Sequence, residues 1–362
     1  TRHSFDINAS AYGVSMTRAN NLFALPDGTT SDARLVDWQL VPSALSYSRM
    51  LGDRVVGSFG VFIPYTTDVD LRAPLRQLGG GNWTFGIDSV RNEYDYMASI
   101  GVRVRDDLRV GVTLNGVYVS TENLALVATG TPGASDAPFF NVVQHETRGE
   151  YGLRLGVGVQ WTPRPELELG LAVQSPTLTG FRSLKQDSVN ASYLGSAMGG
   201  NYMSSHVDEL SKPFDLSTPL FVRAGAAYAL GRLQLLLDGS FSAPLDAQGK
   251  SFDRRVNGNV RLGALFTQGE RLLYGFGVFS DRNGYRDASS SYLGCAGGVR
   301  LATHYTIEEG QRRLTFATTL AGRYAYGWGS AQVLLLSDEG PRPSADLKVH
   351  ELAFNLGGSV TF

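Results

Sequence analysis

Apolar and polar residues alternate with a period of two through most of this chain. Over 152–162 the odd positions are Leu153, Leu155, Val157, Val159 and Trp161, and the even ones are Gly152, Arg154, Gly156, Gly158 and Gln160. A strand turns successive side chains to opposite faces, so this segment has one oily face and one small or polar face. The run Thr162-Pro163-Arg164-Pro165-Glu166 reads as a turn. Beyond it Leu167, Leu169, Leu171 and Val173 repeat the pattern against Glu168, Gly170, Ala172 and Gln174. The two runs predict a hairpin with a single apolar face.

The same unit recurs over 222–241 about Gly231-Arg232, over 260–278 about 268–270, over 293–326, and over 94–118 about Asp106-Asp107. Connections alternate in length. Short ones fall at 52–53, 106–107, 163–165, 231, 268–270 and 308–311; long ones fall at about 12–43, 66–86, 123–143, 183–214, 244–251, 281–288 and 329–346. Transmembrane barrels have short periplasmic turns and longer outer loops. One strand near 3–11, six hairpins and a last strand over 347–362 give about 14 strands, an even number as bacterial barrels have.

In the last segment Leu352, Phe354, Leu356, Gly358, Val360 and Phe362 alternate with Glu351, Ala353, Asn355, Gly357, Ser359 and Thr361. A final alternating strand ending on Phe resembles the assembly signal of outer-membrane barrels. A soluble sandwich would also alternate. Against it stand strands well beyond the usual length of about 5–6 residues and the charges on the non-apolar face. These are Arg103, Arg154, Arg223, Asp238, Arg261, Arg300, Arg323 and Glu351, read as facing a wet lumen. Tyr65, Trp161, Tyr305, Tyr324, Tyr326, Trp328 and Phe362 sit toward strand ends, where interfacial girdles place amphipathic rings.

Composition narrows the class. The 362 residues are 43% hydrophobic with formal net charge −2, which gives no electrostatic case for nucleic acid. Cys295 is the only cysteine, so no disulfide framework or thiolate metal cluster is expected. No stretch approaches the roughly 18 consecutive apolar residues of a membrane helix, but closed barrels also satisfy every backbone group in lipid. The start, Thr1-Arg2-His3-Ser4, has no charged or apolar leader and reads as a mature or trimmed chain.

Candidate chemistry is sparse. His3, His145, His206, His304 and His350 show no ligand spacing, so no metal site is expected, and no cofactor is implied. Ser204-Ser205-His206 with Asp208 reads as a solvated outer loop, since a nucleophile and its base need a rigid mount. Gly79-Gly80-Gly81 lacks the strand-to-helix context and the Lys of a phosphate loop. The expectation is a protein that is not an enzyme. Two outer segments are odd for solvent: 123–143 carries Leu124, Leu126, Val127, Phe139, Phe140 and Val142, and 183–214 carries Tyr193, Leu194, Met198, Tyr202 and Met203. Apolar clusters of this kind mark binding surfaces, or pack on each other as a lid.

The arrangement resembles the FadL-type outer-membrane transporters of long-chain fatty acids and other hydrophobic compounds. The resemblance is carried by Val41-Pro42-Ser43-Ala44-Leu45-Ser46-Tyr47, by Gly52-Asp53-Arg54, by 57–64, by 151–181 ending in Thr179-Gly180-Phe181, and by 216–228, where Pro219 precedes a strand. It implies one all-β domain over 1–362, a monomeric antiparallel transmembrane barrel in the bacterial outer membrane, surrounded by membrane lipid and lipopolysaccharide. It also implies a greasy capture groove from the third and fourth outer loops, 123–143 and 183–214, an N-terminal plug, and lateral escape through a kink in the third strand. That strand falls near 55–65 and contains Pro64, which cannot donate to a ladder. The family's plug signature precedes the first strand, whereas this sequence opens almost on that strand.

The expected function is passive uptake of hydrophobic small molecules, driven by removing apolar area from water at about 25 cal/mol per Å². The alternative is a docking or secretion-associated barrel that holds another outer-membrane or secreted protein on its outer loops. Replacing Phe139 and Phe140 by Asp should lower uptake of a hydrophobic probe by intact cells while heat-modifiable migration of the barrel stays normal. Uptake equal to the wild type's would remove those residues from capture.

Overall fold

The computed structural model describes residues 3–9, 12–24, 30–40, 44–78, 81–129, 139–193, 200–212, 214–245, 255–282, 288–307, 312–332, 334–335 and 344–361. The chain begins with β1 (His3–Ala9), the pair β2 (Tyr12–Ala24) and β3 (Thr30–Leu40), and β4 (Ala44–Met50). Four long strands follow: β5 (Val55–Leu78), β6 (Gly81–Arg105), β7 (Leu108–Thr129) and β8 (Phe139–Arg164). Next come β9 (Leu167–Gln174), β10 (Leu178–Tyr193), β11 (Gly200–Ser211), the short β12 (Asp215–Leu216), β13 (Phe221–Leu230) and β14 (Leu233–Ser242). The last are β15 (Asn257–Gln268), β16 (Leu272–Arg282), β17 (Ala288–Ile307), β18 (Arg312–Gln332), the short β19 (Leu334–Leu335) and β20 (Ser344–Thr361).

Among these, a closed 14-strand antiparallel barrel is formed by β1, β4 to β9, β13 to β18 and β20. The ring shuts where β1 pairs with β20, from Ser4↔Thr361 to Ala9↔Leu356, and with β4 on its other side. Closure matters because an open edge in lipid would leave a row of unbonded N–H and C=O groups. The short connections are tight. Gly231 and Gly269 adopt φ of 63° and 64°, a left-handed conformation that favours glycine.

Alternation sorts the faces as expected. Leu153 is 57% exposed, Leu235 44% and Leu356 51%, all pointing away from the ring with no protein over them. On β8 the exposed series runs Tyr151, Leu153, Leu155, Val157, Val159 and Trp161. At about 3.3 Å per residue and a tilt near 45°, that run climbs about 24 Å, close to the apolar band of such barrels. Its outer limit is an aromatic row in register across four strands: Tyr94↔Tyr118↔Tyr151↔Phe181. The first three rings stack at 5.9 and 4.6 Å between centroids. On the opposite wall Tyr324, Trp328 and His350 are exposed, with the Tyr324 hydroxyl 2.9 Å from His350 Nδ1. At the inner limit, Trp161 Nε1 donates to Asp107 at 3.2 Å. Phe362 lies outside the described residues.

The outer segments differ from the sequence expectation. Most of 12–43, 66–86, 123–143 and 183–214 is strand, not loop. β5 to β8 continue past the aromatic row, and β2–β3 and β10–β11 are hairpins standing on the barrel rim. Two of them extend wall strands with a break. β10 pairs with the upper part of β8 and β9 with its lower part, separated at Ser175-Pro176-Thr177. β12 and β13 break alongside at 217–220. Ser217 N donates to Thr177 O at 3.0 Å, Thr177 N to Thr218 Oγ1 at 3.0 Å, and Leu155 N to Ser175 Oγ at 3.0 Å. Side-chain oxygens thus replace ladder partners at the two prolines.

If the outward face is lipid-solvated, Val157→Arg at mid-band should destabilise the barrel in bilayers by about 2–4 kcal/mol. Thr113→Arg, one strand away and facing inward, should cost much less. Urea unfolding in phospholipid vesicles compares them, and equal costs would mean that the faces are misassigned.

Candidate functional site: the lumen and its wall

Arg154 lies between exposed Leu153 and Leu155, so alternation sends it inward. There it ion-pairs with Asp95 through Nη2, and its Nη1 is 3.6 Å from Glu93 Oε1. Glu93 and Asp95 reach the lumen because they alternate with Tyr94 and Tyr96 on β6. A second group adjoins: Arg148 and Arg182 approach Glu150 at 2.8 and 3.0 Å, and Arg182 also meets Asp215 at 3.2 Å. These side chains keep between 11% and 24% of their exposure. Together they form a charged belt along the inner wall from β6 through β8 to β10 and β12.

Below the belt is a cavity of about 920 Å³ lined by residues from β4 to β9, β13 and β14, among them Asp95, Arg103, Arg109, Gln160, Arg223 and Asp238. Strands from both sides of the ring contribute, which fixes this face as the inside. Above the belt a smaller cavity of about 120 Å³ is lined by Val117, Val119, Thr121 and Asn123 with the arginines of the second group. Several other inward charges are paired across strands. Arg223 meets Asp238 at 2.5 Å and Arg261 reaches it at 3.7 Å; Arg323 lies 3.7 Å from Glu351, 3.8 Å from Asp281 and 4.6 Å from the Phe279 ring centre. Arg103 and Arg300 are exposed on the same inward parity, in ladder positions beside Val102 and Leu301.

β5 is irregular at one level. The described β4–β5 ladder runs up to Ala44↔Phe62, and residues 41–43, next along the chain, lie outside the described residues. β3 runs beside β5 but ladders only to β2. On its other side β5 shifts register between Phe62↔Asp95 and Tyr65↔Glu93, so Ile63 and Pro64 oppose Tyr94 alone. That is a β-bulge at a residue with no N–H to give. The bulge is in register with Glu93 and Asp95, hence level with the charged belt.

The apolar outer residues do not all converge. Leu124 and Leu126 share one face of β7 with Val143 across from Leu126, while Val127 and Val142 pair on the other face. Tyr202 and Met203 are 68% and 61% exposed as neighbours on β11, so they too point to opposite faces. The side chains of Phe139 and Phe140, and residues Leu194 and Met198 entirely, lie outside the described set, as does the Pro64 side chain.

Register also joins residues that spacing kept apart. His145, Asp187 and His206 stand in one row across β8, β10 and β11. His206 Nδ1 is 2.6 Å from Asp187, and His145 Nε2 is 2.9 Å from Glu122. Ser205 bonds Ser188 at 2.7 Å on the other face, away from His206. Among the described residues no group of three His, Cys, Asp or Glu side chains is placed to hold a metal.

No protein-family model matches the chain, and no curated protein matches it in sequence. Solved structures do. A CymD monoaromatic hydrocarbon channel is similar over 100% of this chain and 88% of its own, at 13% identity and TM-score 0.58. A FadL homologue from Pseudomonas aeruginosa covers 100% and 90%, at 11% identity and TM-score 0.61. The toluene transporter TodX from Pseudomonas putida covers 99% and 89%, at 11% identity and TM-score 0.55. At these identities the likeness is one of fold, and the fold is that of the FadL-type barrel.

The belt generates its own test. Arg154→Ala strands Glu93 and Asp95 as unpaired, largely buried carboxylates and should destabilise the barrel by about 3 kcal/mol or more. Adding Glu93→Ala and Asp95→Ala should recover most of that loss. Urea titration of the single and triple variants measures both; an additive series would mean that these side chains are water-screened and uncoupled.

Proposed function

We propose that the protein is an outer-membrane conduit that admits hydrophobic small molecules from outside and releases them sideways into the bilayer at the Pro64 seam. The observation that carries this reading is the coincidence of two features at one level. The ion pairs that line the lumen wall and the β5 bulge at Ile63-Pro64 meet in register at Glu93 and Asp95.

Each feature has a physical consequence. An apolar solute moving straight down must pass largely desolvated Arg–carboxylate pairs, and separating such a pair costs about 3–5 kcal/mol. A solute that turns aside at the seam instead exchanges the lumen for acyl chains, with no charge to displace. Pro64 contributes no donor there, so spreading the strands breaks few hydrogen bonds. The long outer strands carry apolar positions, Val127 and Val142 paired on one face, that would gather such solutes above the belt. Transfer from water then supplies the driving force, and no energy source in the chain is needed. Channels of similar fold for toluene and monoaromatic hydrocarbons handle cargo of this apolar chemistry.

Deleting Pro64 leaves Ile63 alone opposite Tyr94 and restores one-to-one pairing between β5 and β6. Uptake of radiolabelled toluene into proteoliposomes should fall to that of protein-free vesicles, with heat-modifiable migration unchanged. Wild-type uptake by the folded deletion variant would refute the sideways route.

A further inference from the structure

The lipid face of a closed barrel is convex, yet a cavity of about 210 Å³ is cut into it directly below the seam. Its lining is almost wholly apolar: Phe5 of β1, Leu45 and Tyr47 of β4, and Phe59 and Val61 of β5. Parity places these side chains outside. Met50 and Val56 line the lumen cavity, so the opposite parity on β4 and β5 faces lipid. Leu45 is 44% exposed and Phe59 61%. Tyr47 and Phe59, in register across β4 and β5, hold their ring centres 5.3 Å apart at 47°. Val61 is two positions from Ile63, or about 7 Å along the strand. Leu45 adjoins Ala44, whose pair with Phe62 is the outermost described rung of that ladder.

We propose that this groove is a release subsite for a single aromatic ring, occupied after the ring has left the lumen through the seam and before it disperses in the bilayer. The proposal rests on the lateral-release reading and adds to it a ligand class and a place outside the wall. Size sets the class: an apolar cavity of about 150 Å³ takes up benzene, so this one encloses a ring with a small substituent but only part of an acyl chain. Selectivity cannot come from the hydrophobic effect, because lipid tails are as apolar as the groove. It comes from the tilted Tyr47–Phe59 pair, whose faces and edges suit a third ring at the separations aromatic groups prefer. A ring held there is withdrawn from the seam, which favours onward diffusion over return.

Leu45→Trp fills the groove from the lipid side without touching the seam, the bulge or the charged belt. Bromobenzene is the probe, read as bromine anomalous scattering in soaked crystals and as uptake by proteoliposomes. The expected results are a bromine peak between Tyr47 and Phe59 in the wild type, its loss in Leu45→Trp, and uptake slowed about fivefold in that variant, equivalent to about 1 kcal/mol. Three results would overturn the subsite: no bromine in the groove, a lipid chain there that bromobenzene does not displace, or a bromine peak with Leu45→Trp uptake unchanged, meaning binding at crystal concentration only. Failure of lateral release itself reads differently, as wild-type bromobenzene uptake by the Pro64 deletion whatever the groove contains.

Discussion

The structure depends on one constraint: a peptide group surrounded by hydrocarbon has no water to bond and must find its partner within the protein. A ring of strands meets that demand only if it closes, and the pairing of β1 with β20 closes it. Every outward side chain can then be apolar and every inward one polar, since the backbone between them is already satisfied. The alternation in the sequence is the imprint of that division. An irregularity in the ladder is therefore conspicuous, and among the described residues β5 carries one where Ile63 and Pro64 bulge against Tyr94.

The inward face faces a different demand. Charges that lose much of their water persist where they meet an opposite partner, here across one or two strands. Arg154 spans β8 to β6, Arg182 joins β10 to β8 and β12, and Arg323 reaches both β16 and β20. These pairs stitch the wall from inside. On the proposed route the same side chains would also turn oil away from that stretch of the lumen.

Much of the wall was legible in the sequence because its two faces differ in solvent. Leu153 to Trp161 could only be a strand between lipid and water, and the inward direction of Arg154 followed. The outer hairpins were not legible. Over 183–214 both faces meet water, so no apolar period marks the strands, and Ser, Asn and Gly suggest loops. Only register reveals that Asp187 bonds His206, or that Asp215 partners Arg182. Glu93 and Asp95 could have been found, since they share Arg154's parity around Tyr94. Pro64 was visible as a breaker, but the bulge it forms opposite Tyr94 was not, because nothing in Tyr94 says which strand faces it. The apolar outer residues were grouped by nearness along the chain, and alternation then divided Leu126 from Val127.

The described strands are also of unequal height. β5 to β8 run to 22–26 residues, whereas β13 to β16 run to 10–12. On the proposed route a solute that has cleared the shorter strands would still meet the taller wall of β5 to β8, and that wall carries the Ile63-Pro64 bulge.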